Sequence, residues 1–268
     1  MSLRNAVAAV LSWSFSLCAQ SFILPSGCEL PFAGIKTTGL PIDTSCTSDG
    51  NAGDNKAKQL ESNAKNNFCA SGTPIPVTYT TFTKLESAST DDIRKALKTD
   101  RSELAKLGTA PNGKRIGEGT VVQFVAFVLD AHASNVGKGE LVNCNTRGAD
   151  SNDIHIELVK AANEDDACNS VAAEMSPHFR PDSWADLPTI SVKRPVRVTG
   201  PLFFDGSHRP CRGDTRPSPN RISVWEIHPV YQFEVCKNKS LSACKAGDNK
   251  AWIPLDRWHS HTEDETDR

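Results

Sequence analysis

Residues Arg194–Cys236 read RPVRVTGPLFFDGSHRPCRGDTRPSPNRISVWEIHPVYQFEVC, and the spacing of apolar residues in this stretch decides the fold. VRVTGPLFF (196–204) and ISVWEIHPVYQFEV (222–235) are rich in β-branched and aromatic residues, and a Gly-, Pro- and Arg-rich loop joins them. That composition is the signature of two paired strands. With a period of two, Trp225, Ile227, Tyr231 and Phe233 share one face, while Glu226 and His228 take the other. Pro229 cannot donate to a sheet ladder, so this run must bend or lie at an edge there. The pair is expected to close a barrel.

Working upstream, GTVVQFVAFVLDAH (119–132) is apolar at nearly every position and too short to span a bilayer, which fits a buried central strand. ELVNCN (140–145) follows as a strand-like piece, and DIHIELV (153–159) alternates strictly, with Asp153, His155 and Glu157 on one side. CNSVAAEM (168–175) is a weaker strand, and RPDSWADL (180–187) a short helix starting near Pro181. Strand, strand, strand, short helix, strand, strand is the order of an OB-fold. The expected class is therefore mainly β with some α: an OB-like five-stranded β-barrel over 116–258, preceded by a small disulfide-stapled α+β module over 20–115. In that module KAKQLESNAKNNF (56–68) is helical, PIPVTYTTFTKL (74–85) forms a strand after Pro76, and one helix covers 90–107. Ser89 and Asp92 resemble its capping box.

The N-terminus sets a short basic start before AVAAVLSWSFSL (6–17) and Ala19, the pattern of a secretory signal over 1–19. Leu17 directly before Cys18 is unlike a lipoprotein site. Of nine cysteines, eight lie beyond that segment, an even number that suits disulfides in a secreted or periplasmic protein. Cys236 and Cys244 bracket a hairpin-sized loop, and Cys69 could bridge to Cys28 or Cys46. The absence of a C-x-x-C pair argues against a structural zinc site. The tail HSHTEDETDR (259–268) is polar, acidic and expected to be disordered. With a formal net charge of −2, no global field attracts nucleic acid or an anionic membrane.

KNNFCA (65–70), GSHRPC (206–211) and SVWEIHPVYQFEVC (223–236) resemble segments of uncharacterised secreted bacterial proteins. The resemblance implies export and an OB-like core. It implies nothing about a substrate.

Two constellations could carry chemistry. His155, Asp205, His208 and His228 are imidazole and carboxylate groups of the kind that hold a divalent transition metal and activate water. Glu174 and His178 could join them. The alternative is that alternating polar residues form only the wet face of a half-exposed sheet. Separately, Arg194–Arg221 carries six arginines against two aspartates, a local excess of four positive charges. Arg209, Arg212, Arg216 and Arg221 lie in the loop that OB-folds use to grip oligonucleotides or oligosaccharides, and the guanidinium fork suits anions. No Gly-rich phosphate loop, nucleophile elbow or H-E-x-x-H motif is present. The reading favours an exported binding protein that takes a polar or anionic ligand through loop 205–221, without an assigned enzymatic activity. A metal-dependent hydrolase and a structural envelope protein are the alternatives.

Overall fold

The computed structural model describes residues 46–96, 99–178 and 180–258. The signal-like segment 1–19, Cys18, Cys28 and the tail 259–268 fall outside them. Helix α1 (Lys56–Lys65) precedes strand β1 (Ile75–Val77), and helices α2 (Tyr79–Ala88) and α3 (Asp91–Ala96) follow. After the small hairpin β2 (Gly108–Thr109) and β3 (Arg115–Ile116) come β4 (Val121–Ala133), β5 (Ile154–Val159) and β6 (Val171–Met175). Two short 3-10 turns, Asp182–Trp184 and Leu187–Thr189, lead into β7 (Val196–Phe204). Strands β8 (Trp225–Ile227), β9 (Gln232–Cys236) and β10 (Trp252–Pro254) follow.

The expected five-stranded barrel is present, and it is closed. Its ring runs β4-β5-β6-β8-β7 and returns to β4. All these contacts are antiparallel except β6 with β8, which meet in parallel at Ala173 and Ile227. Strand β4 closes the ring because its two halves serve different partners. Val121–Ala126 pairs with β7, and Phe127–Ala133 pairs with β5 after a register shift between Val128 and Asp130. The extra residue at that bulge bends the strand from one neighbour toward the other. Strand β1 adds to β4 in parallel at Val122–Phe124, and β9 and β10 extend β7 on the far side.

Alternation then sorts the side chains. Phe124, Ile154, Ile156, Val171, Ala173, Val198, Leu202, Phe204, Trp225 and Ile227 fall within one buried cluster, as period two requires. Phe82 and Leu85 of α2 belong to it as well, so the helix after β1 packs on the same core. The sequence-based strand over 78–85 is therefore a helix. Its apolar residues Tyr79, Phe82 and Leu85 stand three apart, a helical stripe that interleaved threonines disguise as alternation. The Thr78 N–H donates to Thr81 Oγ1 at 3.1 Å and fixes the start.

The single helix expected over 90–107 is also corrected. It is the short α3 followed by a 3-10 turn at Ser102–Lys106. Asp100 accepts from both the N–H and the hydroxyl of Ser102 at 2.8 Å, a local bond that competes with helix continuation. Ser89 is no cap, because its hydroxyl accepts from Trp225 Nε1 at 2.8 Å and donates to the Leu85 carbonyl. Residues 141–145 form turns rather than a strand, with Cys144 and Asn145 at φ of 55° and 56°. The run 222–235 is two strands, because Pro229 interrupts it and β8 and β9 pair with successive parts of β7.

Three disulfides are described: Cys46–Cys144, Cys168–Cys211 and Cys236–Cys244. Cys69 is bonded too. The first of the three excludes Cys46 as its partner. Cys46–Cys144 spans 98 residues, a loop for which closure entropy gives roughly 4–5 kcal/mol.

Gly200 sits where β7 passes the Pro229 bend. A Cβ there would fall 2.4 Å from the Pro229 carbonyl oxygen and 2.8 Å from Ile227 Cγ2. Gly200→Ala should cost about 1–3 kcal/mol through overpacking. A urea titration would show a lower midpoint with an unchanged slope, and an unchanged midpoint would refute the close approach.

Candidate functional site

The polar face of the barrel is not a wet face. Asp153, His155, Glu174, Asp205, Glu226 and His228 are all at most 5% exposed. Three elements cover them: α1, the β4–β5 loop and the β7–β8 loop. Together they enclose a cleft of about 490 Å³ lined by Glu61, Ser62 and Lys65 from α1, Ser134–Asn135 and Gly139–Val142 from the first loop, and Asp205, Ser207, His208, Ser218, Pro219 and Arg221 from the second. His132, His155, Glu174 and Phe203 contribute from the strands.

Register builds the floor. His132 stands opposite His155 on β4 and β5, and His155 stands opposite Glu174 on β5 and β6. The parallel contact of Ala173 with Ile227 brings His228 next along the same row. His155 Nδ1 lies 3.0 Å from Glu174 Oε1. A carboxylate only accepts, so Nδ1 carries the proton and the Nε2 lone pair is left over. Nε2 is buried and has no hydrogen-bond partner among the described residues. Lys65, the last residue of α1, places Nζ 2.6 Å from Glu174 Oε2 and 3.5 Å from Asp153 Oδ2. His228 donates from Nδ1 to the Lys65 carbonyl at 2.7 Å and turns Nε2 to Asp153 Oδ2 at 3.1 Å.

The charges in this group set one another. Burial alone would favour neutral Glu174 and Asp153. The Lys65 ammonium outweighs it, holding Glu174 well below the ordinary range and Asp153 at about 2. Burial likewise works against the ammonium, but Glu174 and then Asp153 keep it charged and raise its pKa well above normal. Carboxylates farther from that cation go the other way. Burial and then Asp153 push Glu140 up to about 8, although it accepts from Asn135 and Asn143 Nδ2 and from the Asp153 N–H. Burial, Glu174 and Asp205 raise Glu226 well above the usual range.

A second group forms the opposite wall. Asp205 accepts from His208 Nδ1 at 2.5 Å and from the Ser207 hydroxyl at 2.7 Å, and Arg221 Nη1 lies 3.2 Å from it. Arg221 Nη1 also donates to Glu226 at 2.8 Å. Despite burial, His208 and Arg221 hold Asp205 strongly ionised. Glu61, near Asp205, is raised by burial and by that negative neighbour.

The four candidate metal ligands do not form one set. His155, Asp205 and His208 line the cleft, while His228 lies behind it. Among the described residues, ligand atoms within 4.8 Å of one another belong to Asp153, Glu174 and His228. The donor types suit a transition metal. The place beside Asp153 and Glu174 is, however, already taken by the Lys65 ammonium.

The arginines also separate. Arg221 is 1% exposed and neutralises Glu226 and Asp205, so it is no surface anion grip. Arg216 forks onto Asp166 at 2.8 and 3.0 Å, and Arg212 lies 3.5 Å from Glu86. Arg209 is exposed, with no ion pair among the described residues. Sequence reasoning passed over Lys65, Glu61 and Glu140. Glu61 and Lys65 stand four apart on one helix face, a pattern indistinguishable from a solvated surface pair. No family model, curated protein or solved structure matches this chain.

Removing the cation should expose what it neutralises. Lys65→Met removes the ammonium that buried Glu174 and Asp153 share, at a cost of about 3–5 kcal/mol. Zinc should then raise the melting temperature of the variant far more than that of the wild type, and equal responses would show that Lys65 does not fill the cation's place. The raised Glu140 has a pH consequence. Its folded pKa of about 8 lies above an unfolded value of roughly 4.3, so the native state holds the extra proton between these and loses stability as pH rises through them. The melting temperature of Glu140→Gln, relative to wild type, should therefore climb from pH 5 to pH 8. A flat difference would contradict the shift.

Proposed function

We propose that this is an exported protein that binds a polar, hydroxyl-rich and uncharged ligand in the cleft. The observation that carries the reading is a set of buried side-chain atoms that line one cavity and have no hydrogen-bond partner among the described residues: Glu61 Oε1, His155 Nε2 and Arg221 Nε. Buried polar groups are normally satisfied, so an orphaned set around a cavity calls for a polar occupant. Two of these atoms accept and one donates, which matches hydroxyl groups. The position supports the same reading. OB-folds take oligosaccharides and oligonucleotides on the face of their second and third strands, between the loop after the first strand and the loop between the last two. Here β5, β6 and the loops 134–153 and 205–224 make up that region.

Loop 205–221 thus keeps its place in the binding reading, but through Asp205, Ser207 and His208 rather than through free arginines. The lining sets Lys65 and Arg221 against Glu174 and Asp205, so the cavity offers no one-sided basic surface to a polyanion. Disulfides and the secreted-family resemblance support export, as does the signal-like N-terminus. Among the described residues, no helix is long and apolar enough to cross a membrane.

Neutral trisaccharides such as maltotriose, cellotriose and chitotriose, with an eight-residue oligothymidylate as the anionic comparator, provide the test in a thermal-shift series. At least one neutral sugar should raise the melting temperature by a few degrees, and Glu61→Gln should remove most of that rise. A shift from the oligonucleotide alone would transfer the site to an anion. A metal-dependent hydrolase rests on Asp153, Glu174 and His228 and needs an ion to displace Lys65. Stoichiometric transition metal in purified protein, together with a melt lowered by EDTA, would favour it.

A further inference from the structure

A cavity with an oriented, unsatisfied base on its wall can do more than bind. We infer that the cleft is a hydrolytic centre for uncharged carboxylic esters, with His155 as the general base and Glu174 as its positioning residue. The inference rests on the cleft being the ligand site.

Three observations carry it. First, His155 is 3% exposed and lines the cleft, yet Nε2 has no partner among the described residues. Second, the ring is fixed from behind by Nδ1–H donation to Glu174 Oε1 at 3.0 Å, and cross-strand register sets the two residues directly opposite. A carboxylate holding one nitrogen so that the other presents its lone pair is the arrangement by which hydrolases orient a base. Third, Lys65 Nζ at 2.6 Å from Glu174 Oε2 holds that carboxylate as an anion, which secures the tautomer. The opposite wall offers a donor, since Arg221 Nε is buried and unpartnered among the described residues.

The chemistry balances without a further reactant. Nε2 takes a proton from water as its oxygen attacks the acyl carbon, and the carbonyl oxygen gains the negative charge. The intermediate collapses by breaking the bond to the leaving alcohol, to which Nε2–H returns the proton. Ester and water give acid and alcohol. Two cations of the lining, Lys65 and Arg221, are already committed to Glu174 and Asp205, which favours an uncharged ester over a phosphate ester.

The test follows hydrolysis of 4-nitrophenyl acetate and of triacetin, an uncharged polyol ester, with 4-nitrophenyl phosphate and 4-nitrophenyl glucoside as comparators. Wild type should hydrolyse the two carboxylic esters with a kcat/KM well above the second-order rate constant of free 4-methylimidazole. His155→Asn should lose at least 100-fold. Glu174→Gln should lose about tenfold in kcat with KM little changed, because orientation and not binding is removed. Nitrogen NMR of wild type should find His155 protonated at Nδ1, and Glu174→Gln should mix the tautomers. A wild-type rate no better than 4-methylimidazole overturns the inference, even where the variants fail to fold. So does a His155 protonated at Nε2, or turnover confined to the phosphate or the glucoside. If a neutral sugar still binds while both esters remain intact, hydrolysis falls and the binding reading stands.

Discussion

The ammonium of Lys65 is the charge on which the polar half of this protein depends. Carboxylates cannot stay ionised in a dry interior without a cation at contact distance, and Glu174 and Asp153 share this one. The Lys65 carbonyl meanwhile accepts from His228 Nδ1, so one residue anchors both its main chain and its side chain on the barrel. Just beyond it, the Tyr231 hydroxyl donates to the Asn67 carbonyl and accepts from the Ala70 N–H. The end of α1, the bend at Pro229 and the charge network therefore form one unit.

The barrel sets two opposed environments on the same strands. One side of β4 to β8 is a continuous apolar core that extends to α2 and supplies the main burial. The other side carries one polar row, His132, His155, Glu174 and His228, of which the last three are buried under a helix and two loops. Cys46–Cys144 ties the segment before α1 to the β4–β5 loop, and the Asn51 N–H donates to the Leu141 carbonyl at 2.8 Å beside it. Cys168–Cys211 ties the β7–β8 loop to the turn before β6. Both loops that wall the cleft are thus held covalently, which limits the entropy that ligand binding would otherwise remove.

Burying this many ionisable groups is costly, and the structure separates them by distance from their cations. Asp153, Glu174 and Asp205 have a cationic side chain at contact and stay charged. Glu140 accepts only neutral donors and is shifted upward. Glu226 touches Arg221 yet also faces Glu174 and Asp205, and their repulsion adds to burial. Similar carboxyl groups are therefore shifted in opposite directions within one site, a separation that acid–base sites depend on.

Periodicity by itself determined the barrel. Alternation in DIHIELV and in ISVWEIHPVYQFEV identified the core faces, because a strand buries every second residue whatever its partners are. Local composition was less reliable where side-chain bonds intervened, as at Thr78–Thr81 and at Asp100–Ser102. The grouping of Asp153, Glu174 and His228 could not be read from spacing, since they stand on different segments and only register and the parallel β6–β8 contact make them neighbours. Nor could spacing show that α1 would cover the polar face and turn an apparent solvent surface into the floor of a cleft. Sequence fixes which way a side chain points from its own strand. The tertiary structure alone decides what waits on that side, because burial and charge pairing depend on segments far apart in the chain.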